Sequence, residues 1–337
     1  MTCLKKVVGA LIVAMLLSAV AAAQPAHLQP GSALAFPLFD SAPGSGTVIC
    51  VTNLNTNTEY CEDTDVRQGD ILLHYIYVDG ETWVEFDRFE YLTPGDTLCV
   101  VADQHNPEGE AGFLLVAAMD PTSQELAAFD ELIGSAIVVQ SDLNFLFSYT
   151  PYAFLAGDSS DPCDLDNPDV DNGDGDGALD FDGGEYSYFP ETLMIDSFFE
   201  ETGNFDNQLT LMSTGGGVYR TDIALLFWNN VEEKFSRTFD FICWWSGRLS
   251  DISLIAQGLG GDREELGAPP VETGWVSITP RRLIDGAGNP VGDNIPGVLG
   301  VFAQFITSAD FAAGHALHYT GDIDGLELLV GDGDHLP

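Results

Sequence analysis

The chain has 337 residues, of which 53 are acidic and 11 are basic, so its formal net charge is -42. Hydrophobic residues still make up 45% of the sequence and aromatic residues 11%, which is enough for a packed core and argues against a disordered acidic chain. A surface this negative repels phosphate backbones, which excludes nucleic acid as a partner. A chain of this length is expected to form about two domains.

The first 23 residues have the pattern of a secretory signal peptide. Lys5 and Lys6 precede an uncharged apolar stretch that ends in small residues at Ala23. This stretch is short for a membrane span, so we expect cleavage near Ala23 rather than an uncleaved anchor. No later apolar run reaches the ~20 residues that a span requires. The mature chain is therefore predicted to be secreted, periplasmic or at the cell surface, with no membrane span.

Five cysteines remain after the predicted cleavage, and an exported location permits disulfides. At most two bridges can form within one chain, because five is an odd number. No C-x-x-C motif and no Cys/His pair at zinc spacing occurs. We predict one bridge among Cys50, Cys61 and Cys99 and a second bridge between Cys163 and Cys243.

Residues 24–157 contain short runs rich in Val, Ile, Tyr and Phe, separated by turn residues, which is typical of strands in a β-sandwich or barrel. The predicted strands span residues 46–54, 71–78, 82–91, 97–102, 112–118 and 145–154. Residues 122–125 fit a capping box and predict one short helix that reaches Ile133. This region is interpreted as an N-terminal β-sandwich-like domain.

Residues 158–185 differ sharply in composition, because they contain ten Asp, many Gly and no basic residue. Strand-like alternation resumes at residues 193–199, 208–213, 222–228, 235–245, 275–279, 297–306 and 315–319. The sequence therefore predicts an all-β chain with two β-sandwich-like domains, 24–157 and 186–337, joined by the Asp/Gly-rich loop 158–185. We find no tandem repeat of fixed period, which argues against a solenoid or a propeller.

The junction contains a regular spacing of oxygen-bearing side chains. Asn172, Asp174, Asp176 and Asp180 occupy positions 1, 3, 5 and 9 of a loop with Gly177 at position 6. This spacing resembles the calcium loop of EF-hands, dockerins and thrombospondin type 3 repeats. Ca²⁺ takes 6–8 hard oxygen ligands, and the glycine permits the sharp turn between them.

Two departures from the calcium-loop pattern are present. Position 1 is Asn, and position 12 is Gly183 where a bidentate acid is expected, so Asp182 or Glu185 would have to take that place. Prolines on both sides of the loop exclude flanking helices, so the resemblance is to a helix-free loop. The predicted structural Ca²⁺ ligands are Asn172, Asp174, Asp176, Asp180, Asp182 and Glu185.

The alternative interpretation of residues 158–185 is a solvated acidic linker. Other acids near the loop and near the C-terminus are weaker candidates. Asp166, Asp169 and Asp171 could form a second calcium site. A further acidic cluster, which an ordinary Asp-Gly turn explains equally well, consists of Asp322, Asp324 and Glu327.

Catalytic signatures are missing from the sequence, which has no G-x-S-x-G, H-E-x-x-H, Walker or dinucleotide motif. His315 and His318 are three residues apart, but their strand-like context favours ordinary histidines over metal ligands. His74 lies in an apolar strand and is interpreted as a core histidine. Four tryptophans could line a sugar-binding platform, although an aromatic core is favoured; they are Trp228, Trp244, Trp245 and Trp275.

Several segments resemble exported bacterial proteins to which no function is assigned. They are residues 36–39, 47–53, 92–97, 112–121, 132–135, 183–190 and 227–245. The resemblance covers most of the mature chain, implies two β-sandwich-like domains around an acidic loop and carries over no catalytic residue.

Two classes of function follow as expectations. The first is an exported, calcium-stabilised, non-enzymatic surface or extracellular-matrix protein of adhesion type, with a protein or glycan partner that the sequence does not identify. The second is a carbohydrate-binding or carbohydrate-hydrolysing secreted protein that uses the C-terminal tryptophans and acids.

Overall fold

The computed structural model describes residues 29–106, 110–140, 145–157, 161–171, 173, 175, 179–201, 204–230, 232–252, 273–292, 295–307, 311–323 and 326–328. The predicted signal peptide lies outside these residues. Strands make up 59% of the structure and helices 5%, which confirms the all-β prediction. In the described ranges, no helix has both the length and the apolar character needed to cross a membrane.

The strands before the acidic junction form the first half of the fold. They are β1 (Ala33–Asp40), β2 (Ser45–Asn53), β3 (Ile71–Asp79), β4 (Glu85–Leu92), β5 (Thr97–Val101), β6 (Ala111–Met119), β7 (Leu132–Gln140), β8 (Phe145–Tyr149) and β9 (Tyr152–Phe154). A four-residue helix, α1 (Ala102–His105), follows β5.

The junction contains a short helix, α2 (Pro168–Asp171), and β10 (Leu179–Phe181). The expectation that no helix precedes the loop at Asn172 is therefore wrong, because Pro168 lies at the first position of α2, where proline is tolerated. The second half then comprises β11 (Phe189–Phe199), β12 (Phe205–Ser213), β13 (Arg220–Asn229), β14 (Lys234–Ile242), β15 (Trp244–Arg248), β16 (Thr273–Ile284), β17 (Pro290–Val291), β18 (Val298–Ile306), β19 (Phe311–Ala316) and β20 (His318–Ile323). Helix α3 (Leu249–Ile252) follows β15, and β21 (Leu326–Leu328) ends the described chain.

The strands form small antiparallel sheets in a four-blade, propeller-like arrangement. The argument against a propeller from the lack of a fixed-period repeat is therefore wrong. The first half supplies a five-stranded sheet, β4-β3-β6-β1-β9, and a four-stranded sheet, β5-β2-β7-β8. The second half supplies the sheets β14-β13-β16-β11-β20, with β17 added beside β16, and β15-β12-β18-β19. Strands β10 and β21 form a separate two-stranded sheet.

The strand orders of the two halves are the same. Strands β1 to β6 correspond to β11 to β16, in the same order. Strands β7, β8 and β9 correspond to β18, β19 and β20. Helices α1 and α3 also occupy the same place, directly after β5 and β15. The fold is therefore an internal duplication of topology, which the sequence did not reveal as a repeat of fixed period.

The duplication extends to an irregularity in one strand of each half. The pairing of β1 with β6 shifts register between Phe36 and Phe39, and the pairing of β11 with β16 shifts between Ile195 and Phe198. In both halves a glycine lies opposite the phenylalanine that follows the shift. Phe39 is opposite Gly112 of β6, and Phe198 is opposite Gly274 of β16. A matching bulge in matching strands is expected of a shared architecture, since bulges re-aim side chains at defined points of a sheet.

The apolar core crosses from one half to the other. One cluster joins buried residues of β1, β3 and β6 to those of β11, β13, β16 and β18. The other contains the remaining face of the first-half sheets together with Val301, Ala303 and Phe305 of β18. The rings of Phe145 and Phe305 lie 4.5 Å apart across this contact. Because the halves share their cores, the finer prediction of two β-sandwich-like domains is not confirmed.

Two disulfides are present in the described chain. Cys50 on β2 pairs with Cys99 on β5, which confirms one bridge among the three N-terminal cysteines. The predicted Cys163–Cys243 bridge is wrong: Cys163 pairs with Cys61, and Cys243 is a buried free thiol. Sequence spacing gave no indication that the loop at Cys61 lies beside the junction.

The predicted helix at residues 122–125 is also wrong. Asp120 forms a turn there instead, because its Oδ1 accepts hydrogen bonds from the backbone N–H groups of Thr122 and Ser123. The chain then enters β7, in which buried and exposed residues alternate. This strand was not predicted, because a helix was expected to reach Ile133. Short Asp side chains compete with helix formation in this way by bonding to nearby backbone groups.

Candidate metal centre in the acidic junction

The junction is tied to both halves of the fold. The backbone N–H of Ala128 donates to Asp166 O at 2.9 Å, and that of Ser187 donates to Leu155 O at 2.7 Å. Strand β10 pairs with β21, which places Asp180 opposite Glu327 in the register. The described junction is therefore an ordered part of the protein and not a free linker.

An aromatic cluster lies beneath the junction. Phe181 of β10 packs against Phe154, Phe189 and Tyr186, with ring centroids 4.5, 4.8 and 5.5 Å away. Phe181 and Phe189 are fully buried, and Tyr186 is 1% exposed. This apolar base fixes the backbone from which the acidic side chains of the junction project.

Glu185 is the most unusual residue of the junction. It is only 1% exposed, and both of its carboxylate oxygens are buried without a hydrogen-bond partner. A buried charge without an ion-pair or hydrogen-bond partner destabilises the folded state by roughly several kcal/mol. Buried charged groups therefore normally have such a partner. No Lys or Arg occurs between Arg88 and Arg220, so the surrounding segment supplies no basic partner.

Other acids surround Glu185. Asp169 on α2 is 7% exposed and has a buried Oδ1 without a hydrogen-bond partner. A Cβ atom at Gly173 would lie 3.1 Å from Glu185 Oε2 and 2.6 Å from Asp169 O, so this glycine leaves room for the close approach of both residues. Asp182 Oδ1 accepts hydrogen bonds from the N–H groups of Gly184 and Glu185, which holds the turn in place.

The electrostatics of the site disfavour an ionised Glu185. Burial raises the pKa of Glu185 most, and the backbone N–H of Asp180 offsets part of this rise. The charges of Asp169, Asp180 and Asp182 raise the pKa further, from 4.5 to about 8 in total. Burial and the neighbouring charges of Glu185, Asp130 and Asp169 likewise raise the pKa of Tyr186. A bound divalent cation would reverse this balance, since it stabilises the ionised carboxylate.

The predicted ligand set is only partly described. Asp180, Asp182 and Glu185 lie at the site, whereas Asn172, Asp174 and Asp176 lie outside the described residues. The sequence assigned Asp169 to a separate second site, but its charge acts directly on Glu185. The spacing of the loop could not identify Asp169, because it precedes the first loop position. The side chains of Asp322, Asp324 and Glu327 are not described.

The donor set fits a hard cation, because every candidate ligand offers oxygen and Ca²⁺ prefers such ligands at about 2.3–2.6 Å. The carboxylate oxygens of Asp169, Asp180 and Glu185 are farther apart than in a compact metal site, since they do not all lie within 4.8 Å of one another in the described structure. A cation would therefore have to draw these carboxylates together.

The tryptophans divide into two groups. The indole of Trp244 packs into both cores and donates from Nε1 to Pro37 O at 2.9 Å, and Trp245 packs edge-on against Phe239. Trp228 and Trp275 instead stack on each other across β13 and β16, 3.8 Å apart, and Trp275 is 38% exposed. The aromatic core favoured from the sequence describes Trp244 and Trp245, and the alternative of a sugar platform is reduced to a stacked pair in which Trp275 is exposed and Trp228 is half-buried.

His74 is half-buried and forms a 2.9 Å hydrogen bond with Asp87, which agrees with the interpretation of a satisfied histidine. His315 and His318 lie at the end of β19 and the start of β20, close to Asp196.

No protein-family model matches the chain, and no curated protein matches it either.

Proposed function

We propose that the chain is an exported, calcium-stabilised, non-enzymatic protein of the cell surface or extracellular matrix, of adhesion type. The observation that supports this most directly is the buried carboxylate of Glu185, whose oxygens have no hydrogen-bond partner and whose neighbours are acidic. Asp169, Asp180, Asp182 and Glu185 would hold the ion, and the loop residues predicted from the sequence would complete its shell. The two disulfides agree with an oxidising compartment.

Calcium would act here as a structural clamp. The junction hydrogen-bonds to the first half at Ala128 and Leu155 and continues into β11 of the second half. An ion at Glu185 would neutralise the acids between these attachment points and fix the loops around them. Those loops, and the exposed sheet edges beside them, would then meet a partner in a defined orientation.

Adhesion of coated beads tests this function. Beads that carry the mature protein should attach to intact cells of the producing organism in Ca²⁺ and detach in EDTA. Beads that carry Glu185→Gln should lose the calcium dependence, whereas beads that carry Glu191→Gln, an exposed acid on β11, should behave as wild type. Attachment that is absent, or equal in Ca²⁺ and EDTA, would contradict the proposal.

The second candidate function is carbohydrate binding. The stacked Trp228–Trp275 pair, in which Trp275 is exposed, favours it, since aromatic faces on a sheet surface suit apolar faces of sugars. A glycan array with wild type and Trp275→Ala separates this candidate from the first. Trp244→Ala is a poor test, because the buried contacts of Trp244 make that variant a packing mutant. Specific binding that is lost in Trp275→Ala would favour carbohydrate recognition, and silence across the array would count against it.

A further inference from the structure

Three metal-binding side chains meet where β11 bulges. Asp196 lies in the bulge between Ile195 and Phe198 and is exposed. His315 near the end of β19 and His318 at the start of β20 flank the short connection between these strands. Because β20 pairs with β11, Met194 is opposite His318 and the connection lies beside the bulge.

The distances bring these three residues to one point. His315 Nε2 lies 3.6 Å from Asp196 Oδ1, and His318 Nε2 lies 3.8 Å from Asp196 Oδ2. One ligand atom from each residue lies within 4.8 Å of the other two. His315 Nε2 is buried and has no hydrogen-bond partner, although an acid faces it. Both separations from Asp196 exceed those of ordinary hydrogen bonds.

The first half of the fold shows that the architecture does not require these residues. The pairing registers place Pro37, Tyr149 and Tyr152 at the positions of Asp196, His315 and His318. Pro37 is buried, and Tyr149 and Tyr152 are each 3% exposed.

The two first-half tyrosines support the fold through buried hydrogen bonds. Tyr149 bonds through its hydroxyl to the backbone of Leu38 in the bulge. Tyr152 donates to the backbone oxygens of Gly300 and Leu317. The equivalent backbone positions in the second half carry two imidazoles and a carboxylate, which are half-buried or exposed.

Two imidazoles with one carboxylate form a ligand set for zinc and related transition metals. Bonds of about 2.0–2.1 Å to such an ion would place neighbouring ligand atoms somewhat over 3 Å apart, so the observed separations need only small side-chain rotations. This set differs from the all-oxygen junction, because imidazole nitrogen is a borderline ligand that calcium does not favour.

We infer that Asp196, His315 and His318 form a transition-metal site of the Zn²⁺ class, separate from the calcium centre. The site supplies three protein ligands and leaves the remaining coordination position to water or to an external ligand, as open zinc sites do. The bulge lies opposite Trp275 in the register of β11 and β16, so an external ligand on the metal would have the stacked indoles as its neighbour.

The test uses the mature protein with Ca²⁺ held in excess, so that the junction stays saturated and only the second metal varies. Zn²⁺ is titrated by calorimetry, and Co²⁺ is added separately to record its visible d–d absorption. The variants are His318→Gln and Asp196→Asn, both at exposed positions where folding should be retained. The matched control is His74→Gln, because His74 also faces an acid but has no second histidine beside it in the described structure.

Wild type and His74→Gln should bind one Zn²⁺ with the same affinity and give a Co²⁺ spectrum of low coordination number. His318→Gln and Asp196→Asn should each weaken binding at least tenfold and lose that spectrum, with unchanged melting temperatures in the absence of added metal. Zn²⁺ binding of equal affinity in all four proteins, or no saturable binding in wild type, would overturn the inference. Neither result would bear on the calcium centre, whose ligands are untouched.

Discussion

Glu185 is expected to have the largest single effect on the stability of the junction. Its carboxylate is buried without a hydrogen-bond partner, among Asp169, Asp180 and Asp182. A charge in this position would destabilise the metal-free protein, and the same charge would stabilise the proposed calcium complex. Removing the charge should therefore have opposite consequences in EDTA and in Ca²⁺.

Glu185→Gln keeps the size of the side chain and removes its charge. In EDTA near pH 8, where wild type is partly ionised at this position, the variant should be more stable than wild type by about 1–3 kcal/mol. In excess Ca²⁺ the order should reverse, because the variant lacks a ligand. Thermal melts in both buffers measure this, with Glu191→Gln as the control. A variant that is less stable in EDTA would contradict the account.

The pH dependence of the metal-free protein follows from the same residue. The pKa of Glu185 is 4.5 in the unfolded chain and is raised to about 8 in the fold. The unfolded state therefore releases the proton first as pH rises, so the contribution to stability is complete below pH 4.5 and is lost on the way to pH 8.

Melting temperatures in EDTA should accordingly fall from pH 5 to pH 8, and the fall should be smaller in Glu185→Gln. Comparing the two proteins at each pH removes the contributions of other titrating groups. Parallel curves would show that Glu185 is not the residue responsible.

At the scale of elements, the duplicated sheets allow one half to be compared with the other position by position. Cys50 lies opposite Cys99 in the pairing of β2 with β5, and these residues form a disulfide. Thr210 lies opposite Ser246 in the equivalent pairing of β12 with β15, and their hydroxyls are 2.8 Å apart. A hydrogen bond thus occupies the place that a covalent bond has in the first half.

Thr210→Cys/Ser246→Cys should form a third disulfide without displacing the strands. Closing a loop between positions 36 residues apart is expected to add about 3–4 kcal/mol of stability in the chain-entropy model. Thiol counting under denaturing conditions checks bridge formation, and the single variant Thr210→Cys is the control. Two additional free thiols in the double variant would show that the two pairs of strands are not equivalent.

At the scale of the whole molecule, the Cys61–Cys163 bridge joins a first-half loop to the acidic junction across 102 residues of sequence. The free energy of unfolding of Cys61→Ser/Cys163→Ser should be lower by about 4–5 kcal/mol, because the unfolded chain gains loop-closure entropy. Ca²⁺ binding should also weaken, because the bridge no longer holds the junction against the first half. Chemical denaturation and calcium titration measure these two effects.

Cys243→Ser serves as the comparison for the bridge variant. Cys243 is a buried free thiol. Burial, together with the charge of Glu85, raises the pKa of this thiol to about 12. Its replacement should leave Ca²⁺ binding unchanged. A bridge variant with wild-type stability and calcium affinity would contradict the role assigned to the Cys61–Cys163 bridge.

The sequence predicted most strands because their alternation reports directly which side chains face a core. It missed β1, and it missed β7, where the capping-box pattern at residues 122–125 competed with the strand pattern. It also missed the duplication, since Pro37, Tyr149 and Tyr152 share no chemistry with their counterparts Asp196, His315 and His318. Backbone topology was retained in the two halves where side-chain identity was not.

The candidate sites were predictable only where their ligands are local in sequence. The spacing of the acidic loop indicated Asp180 at position 9, and Asp182 and Glu185 were proposed only because they lie near position 12, where the pattern has Gly183. Asp169 was assigned to a separate calcium site, and Asp196 was not identified as a candidate ligand. The residues that lie beside them in the fold are distant in sequence. The pairing of Cys163 with Cys61 failed for the same reason.

Calorimetric titration of the mature protein with Ca²⁺, accompanied by thermal melts in EDTA and in excess Ca²⁺, tests the central claim most directly. Wild type should show a saturable site and a raised melting temperature, because a ligand that binds only the folded state stabilises it by mass action. Both effects should be lost in Glu185→Gln and retained in Glu191→Gln. The absence of binding heat together with an unchanged melting temperature in wild type would contradict the calcium centre and the function proposed from it.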